Sequence, residues 1–385
     1  MRSSRRGDVD PFIVMDVMAA AARQEAAGKR VIHMEVGQPG TPAPARARAR
    51  LSQALDEPLG YTVALGLPEL RAGIGALYQR WYGVDLDPGR VVVTAGSSAG
   101  FTLAFTACFD AGGRVGIGAP GYPSYRNILS ALSLIPVEIE TQTEDRYQPT
   151  PQAIRTTPDL DGVLVASPAN PSGTMLGRDA LSALINTAAD RGITFISDEI
   201  YHGLHYGAPA VSALEITDDV IVINSFSKYF SMTGWRIGWM VVPDPMVRTV
   251  ERLAQNLFIC APHAAQVAAL GALEASEELD ANRATYSENR RLLMDALPQM
   301  GFGAMAPPDG AFYIYADISA FADDAQSFCA ELLETAQVAI TPGNDFDPRR
   351  GHRMVRFSYA RATEDIVEGI ARLGSFMAAR AGGNL

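Results

Sequence analysis

Between residues 91 and 242, short apolar and β-branched runs alternate with amphipathic stretches, and few folds accept that alternation. The runs 91–94, 114–117, 137–140, 162–166, 194–197, 220–224 and 237–242 are expected to be strands. Residues 178–191 have helical period, and Gly192 stands where a helix would stop. Strands separated by helices imply a mostly parallel sheet covered on both faces, an α/β architecture. Ligands of such sheets sit at the carboxyl ends of the strands. From about residue 281 the pattern changes to a long helix, strands at 312–316, 338–341 and 354–358, and a last helix. We therefore expect a large domain at 41–280 and a smaller α+β domain at 281–385, with residues 1–40 forming an arm and part of the smaller domain.

Composition narrows the function classes. A formal charge of −11 argues against broad binding to nucleic acid or to a membrane surface. No stretch reaches the roughly 18–20 apolar residues that span a bilayer. Arg2, Arg5 and Arg6 are followed by no apolar segment, so residues 1–10 read as a mobile arm and not as a secretory signal. Cys108, Cys260 and Cys329 lack the short spacing of a thiolate metal site, and disulfides are not expected; a cytoplasmic location fits. Of 32 basic residues only Lys29 and Lys228 are lysine. Codon bias accounts for the scarcity, but not for a lysine inside Ser225-Phe226-Ser227-Lys228. Arginine stays protonated, whereas a lysine amine can be tuned into a nucleophile or base.

Several segments carry chemistry. Gly116-Ile117-Gly118-Ala119-Pro120-Gly121 matches the G-x-G-x-x-G dinucleotide pattern, with Glu138 about 20 residues on. Pro120 and Pro123 flank Gly-Tyr where the helix should begin, which favours a turn over a nicotinamide site. Thr94-Ala95-Gly96-Ser97-Ser98-Ala99-Gly100 reads either as an ordinary βα turn or as a phosphate cradle at a helix N-terminus. The stretch from Asn224 to Arg236 groups hydroxyls, an amine and a guanidinium, the donors a phosphate and an aldehyde require. Asp198 follows a buried strand, where it is either a helix N-cap or the partner of a cationic ring nitrogen. His202 and His205 lack a supporting carboxylate motif and read as ordinary histidines, so no metal is expected. Arg356 could simply face solvent on its strand.

Taken together, Glu35-Val36-Gly37-Gln38-Pro39, Tyr61 to Gly66, Ala119-Pro120-Gly121-Tyr122-Pro123, Ser167-Pro168-Ala169-Asn170-Pro171-Ser172-Gly173-Thr174, Ser197 to Tyr201, Ser225 to Arg236 and Val355-Arg356-Phe357-Ser358 stand in one family's order. From Pro11 to Leu373 the chain resembles the fold-type I, class I/II aminotransferases of the aspartate, aromatic and kynurenine group. Gly40 departs from that pattern, since relatives often carry Asp there.

The resemblance implies a seven-stranded sheet, pyridoxal 5'-phosphate as cofactor, and transfer of an α-amino group from an L-amino acid to a 2-oxo acid such as 2-oxoglutarate by a ping-pong mechanism. A carbon–sulfur β-lyase on the same fold is the alternative. By the same resemblance, Lys228 carries the cofactor as a Schiff base and then shuttles the substrate proton. Asp198 holds the ring nitrogen protonated, Tyr201 and Asn170 bond the ring oxygen, and Tyr122 stacks on the ring. Ser97, Ser98, Ser225, Ser227 and Arg236 hold the phosphate, and Tyr61 reaches the neighbouring active site of a homodimer. Arg356, Gly37 and Asn170 grip the substrate carboxylate. Cis peptides are expected before Pro120 and Pro171. Ser98 stands where aspartate-specialised relatives can have lysine, and Phe12 and Ile13, expected near the entrance, together with Tyr61 favour a neutral or aromatic donor.

Overall fold

The computed structural model describes residues 3–383; Met1 and the expected arm residue Arg2 lie outside them. Among the described residues twelve strands form: β1 (Ile32–His33), β2 (Val91–Thr94), β3 (Arg114–Ala119), β4 (Ile135–Glu140), β5 (Gly162–Ala166), β6 (Thr194–Asp198), β7 (Ile221–Ser225), β8 (Gly238–Val241), β9 (Tyr313–Asp317), β10 (Val338–Ala339), β11 (Thr341–Pro342) and β12 (Met354–Ser358). Seven of them make the central sheet in the order β2-β8-β7-β6-β5-β3-β4. All its neighbours are parallel except β8, which runs antiparallel to both β7 and β2. Every residue of β2, β7 and β8 is buried, as expected of strands covered on both faces. The expected helix is Arg178–Asp190, and Gly192 has φ +64 just beyond it.

A second layer is built from both ends of the chain. β9, β11 and β12 form an antiparallel sheet, while β1 pairs in parallel with β10, Ile32 against Val338. The single strand expected at 338–341 is thus two short ones that serve different sheets. The chain changes partner at Ile340, and Pro342, without an N–H, ends the second pairing. The N-terminal helix Ile13–Ala26, strand β1 and a third cis peptide, before Pro168, beside those before Pro120 and Pro171, stand beyond the expected pattern.

The dinucleotide pattern dissolves in the fold. Gly116 and Gly118 lie inside β3, and the next helix begins only at Pro123. The glycines serve the sheet, since a Cβ at Gly116 would come 2.9 Å from Ile139. Glu138 pairs with Arg349.

Beyond the end of β7 the chain turns around a buried aromatic anchor. Phe226 packs on Phe230 with centroids 4.7 Å apart and on Trp239 at 5.0 Å. The Ser225 hydroxyl donates to the Ile237 carbonyl at 3.0 Å and accepts from the Ser227 amide at 3.0 Å. These contacts fix the backbone that carries Ser227 and Lys228. Phe226→Ala should cost about 3–5 kcal/mol of stability, measured by denaturant unfolding of the cofactor-free protein. A loss below about 1 kcal/mol would show that the anchor is dispensable.

Candidate active site

A cavity of about 460 Å³ opens between the carboxyl ends of the central strands, the loop at residues 36–38 and the N-terminal helix. It brings together Gly37, Ser97, Ser98, Tyr122, Asn170, Asp198, Tyr201, Ser227, Lys228, Arg236 and Arg356, segments scattered over most of the chain.

The Lys228 amine donates to the Gly37 carbonyl at 2.6 Å. Burial, with the Arg356 and Arg236 guanidinium groups nearby, brings it down to about 7, while Asp198 acts in the opposite sense. A substantial neutral fraction, and hence a nucleophile, is available near neutral pH. Asp198 ends β6 and is buried; one oxygen accepts from the Ile200 amide at 3.0 Å and the other from the Tyr125 hydroxyl. Burial pushes Asp198 up to about 6, opposed by those two hydrogen bonds and by Lys228. Turn residues and not a helix follow it, so the N-cap reading falls away. Tyr201 shares a 2.8 Å hydrogen bond with Tyr313, and burial, reinforced by Tyr313, holds its hydroxyl well above the ordinary value.

Arg356 is buried on β12, not on a solvated face. Its guanidinium donates to Asn170 Oδ1 at 2.9 Å, to the Glu35 carbonyl and to Thr341 Oγ1 at 3.3 Å, and it lies 4.4 Å from the Tyr313 ring centre. Its Nε has no partner, so the fork retains a free donor. At Gly37 a Cβ would fall 1.9 Å from the Tyr313 hydroxyl; only glycine fits between that ring and the cavity. Gly40 is less confined: its amide donates to the Ala360 carbonyl at 2.8 Å, and a Cβ there would come 3.1 Å from that oxygen.

At the other end, the helix Ser97–Cys108 points its N-terminus at the cavity. Gly96 precedes it with φ +78, and a Cβ there would stand 2.5 Å from Arg236 Nη2. The glycine, the free amides, the hydroxyls of Ser97, Ser98 and Ser227, and a guanidinium thus make an anion cradle of more than one kind of donor. This donor set, with one amine and one buried carboxylate, fits pyridoxal phosphate. Ser225 stands just behind the cavity lining, its hydroxyl within reach of the Ile237 carbonyl at 3.0 Å and the Ser227 hydroxyl at 2.8 Å. Tyr61 is 82% exposed and also stands apart from this cavity. Phe12 lines the entrance, 5.8 Å from the Tyr122 ring, whereas Ile13 does not.

Some participants escaped the reading of the sequence. Tyr125 holds Asp198, and its only signal was its place one helical turn after Tyr122. Tyr313, Val14, Met15 and Met18 line the cavity from elements with no distinctive motif. His202 is held neutral, Nε2 against the Ser167 carbonyl at 2.9 Å and Nδ1 against the Tyr82 hydroxyl at 2.6 Å, and burial brings it down to about 3. Among the described residues no group of His, Cys, Asp and Glu could hold a metal ion, and no helix is long and apolar enough to cross a membrane.

Residues 29–373 match the family model for aminotransferase class I and II. The chain is 49% identical to a valine–pyruvate aminotransferase of Mycobacterium tuberculosis, over 98% of each chain. A crystal structure from Silicibacter pomeroyi superposes with a TM-score of 0.93 at 62% identity, covering 98% of this chain and 100% of that one. Aspartate aminotransferase from Thermus thermophilus, solved with maleate, gives a TM-score of 0.91 at 30% identity, covering 97% and 100%. With this match across nearly its full length, the chain belongs to the class I and II aminotransferases and is a pyridoxal-phosphate enzyme of the transaminase class.

Proposed function

We propose that this aminotransferase takes the α-amino group of a neutral, apolar L-amino acid and passes it to a 2-oxo acid in a ping-pong exchange. The observation that carries the proposal is the set of cations in the cavity: Lys228, Arg236 and Arg356 are the only ones among its lining residues. Each has an assigned task, so none is left for a second carboxylate on the substrate side chain. Phe12, Val14, Met15 and Met18 cover that side with apolar surface instead. The valine–pyruvate activity of the Mycobacterium tuberculosis relative is of the same character. We favour pyruvate over the 2-oxoglutarate expected at first, because the latter brings a second anionic group.

Bound pyridoxal phosphate supplies a reactive aldehyde carbon and an electron-withdrawing ring. Lys228 would hold it covalently and, once released, would carry the proton at the substrate Cα. Asp198 is fixed by Tyr125 and the Ile200 amide, and its negative charge would stand against the ring nitrogen. Tyr201 and Asn170 would donate toward the ring oxygen, and Tyr122 would close one ring face. Ser97, Ser98, Ser227 and Arg236 would hold the phosphate, with Ser225 supporting Ser227 through a 2.8 Å hydroxyl contact. Arg356 takes the α-carboxylate in its fork, beside Gly37 and Asn170, and so orients the Cα–H bond toward Lys228.

The exposure of Tyr61 is accounted for if it completes the neighbouring active site of a homodimer. In the same reading, residues 41–280 form the cofactor-binding body, 281–385 form the smaller one, 1–40 supply an arm and part of that smaller body, and the enzyme works in the cytoplasm.

A donor panel without added oxo acid tests the substrate class. Valine, leucine and alanine should bleach the cofactor absorbance, pyruvate should restore it, and aspartate should act at least about tenfold more slowly, the factor set by one unpaired carboxylate. Preference for aspartate, or accumulation of ammonia with persistent colour, would contradict the proposal. Asp198→Asn should lower kcat by about 10²–10³-fold with cofactor still bound, the usual loss for one preorganised charge-stabilising group. Covalent uptake of cofactor by the cofactor-free protein should accelerate as pH rises through about 7, because the neutral amine is the reactive form. Stopped-flow absorbance would show a midpoint above pH 9 if Lys228 were not depressed.

A further inference from the structure

The N-terminal helix Ile13–Ala26 begins without a cap of its own, since its N-cap residue is Phe12, which has no side-chain acceptor. Its first two amides are satisfied from the far end of the chain. Ile13 N–H donates to Asp345 Oδ1 at 3.0 Å and Val14 N–H to Asp345 Oδ2 at 3.2 Å. Asp345 is only 2% exposed, and its negative charge also complements the positive end of the helix dipole.

The position of Asp345 ties this cap to substrate binding. It closes the short 3-10 turn Gly343–Asp345 that follows β11. In β11, Thr341 lies opposite Arg356 and accepts a hydrogen bond from its guanidinium at 3.3 Å. Phe346, the next residue after Asp345, sets its ring 4.6 Å from the same guanidinium. One six-residue segment thus supports the carboxylate grip on one side and the leading end of the apolar helix on the other. The far part of that helix is held separately: Val17, Ala20 and Ala21 pack with Val31, Leu333 and Ala339.

We infer that Asp345 is a positioning residue for donor specificity, fixing Phe12, Val14 and Met15 over the end of the cavity that receives the amino acid's side chain. The inference rests on the apolar-donor reading above. Asp345 touches no reacting atom. Its loss should free the first turn of the helix while Leu333 and Ala339 retain the remainder. A donor with a long apolar side chain then loses its cover, whereas alanine, whose methyl group is short, loses little.

The test combines kinetics and hydrogen exchange on the intact holoenzyme and its Asp345→Ala and Asp345→Asn variants. For Asp345→Ala, KM for leucine should rise about tenfold, the factor associated with losing one helix cap. KM for alanine should change less than about twofold, with kcat retained for both. Amides at 13–15 should exchange faster while those at 20–26 do not. Asp345→Asn keeps one acceptor and should fall between wild type and the alanine variant, also serving if Asp345→Ala folds poorly. Equal changes for alanine and leucine, or unchanged exchange at 13–15, would overturn the inference while leaving the proposed function intact. A wild-type enzyme that ignores leucine and alanine alike would instead overturn the donor reading and this inference with it.

Discussion

Placing one amine in a confined cavity with two guanidinium groups is the constraint around which the rest of this enzyme is arranged. Lys228 is drawn down by burial and by Arg356 and Arg236, and Asp198 is the only acid acting on it in the opposite sense. The imbalance keeps the amine reactive, and it also makes the cavity receptive to anions. A phosphate at Arg236 and a carboxylate at Arg356 both enter a field already positive. The same groups that tune the lysine therefore bind the molecules on which it acts.

Such a site needs a rigid frame, because small displacements of its groups are costly to catalysis. The frame is a set of buried polar contacts behind the cavity wall. Glu199, next to Asp198, accepts from the Ser197 and Ser212 hydroxyls and from the Ala213 amide at 2.8 Å, and burial pushes its carboxyl up to about 8. His202 bridges Tyr82 and the Ser167 carbonyl from the same turn. These contacts hold the segment after β6, and with it Asp198 and Tyr201, between the central sheet and the loop carrying Asn170.

Much of this was legible in the sequence, for identifiable reasons. The central strands were readable because double burial writes continuous apolar runs, as in β2 and β7. Lys228 stood out because lysine is so rare here, and Arg356, Asp198 and Asn170 were placed by segments that stand in a family's order. What stayed hidden depends on contacts between distant segments. The split of 338–341 into β10 and β11 follows from which partner each half meets. Tyr125 bonds to Asp198 across 73 positions, and Asp345 caps a helix 332 positions away. Ser225 shows what a residue type leaves out: its hydroxyl also lies within reach of the Ile237 carbonyl and the Ser227 hydroxyl, contacts that brace the turn.

The chemistry rests on Lys228 carrying the cofactor, and the scarcity of lysine makes that unusually direct to measure. The purified holoenzyme is reduced with borohydride, digested and mapped by mass spectrometry, with Lys29 as the only other lysine side chain that could be labelled. The account predicts one reduced pyridoxyl group per chain, on the peptide containing Ser225-Phe226-Ser227-Lys228, and no label after Lys228→Arg. Label on Lys29, or a coloured holoenzyme with no label at either lysine, would contradict it.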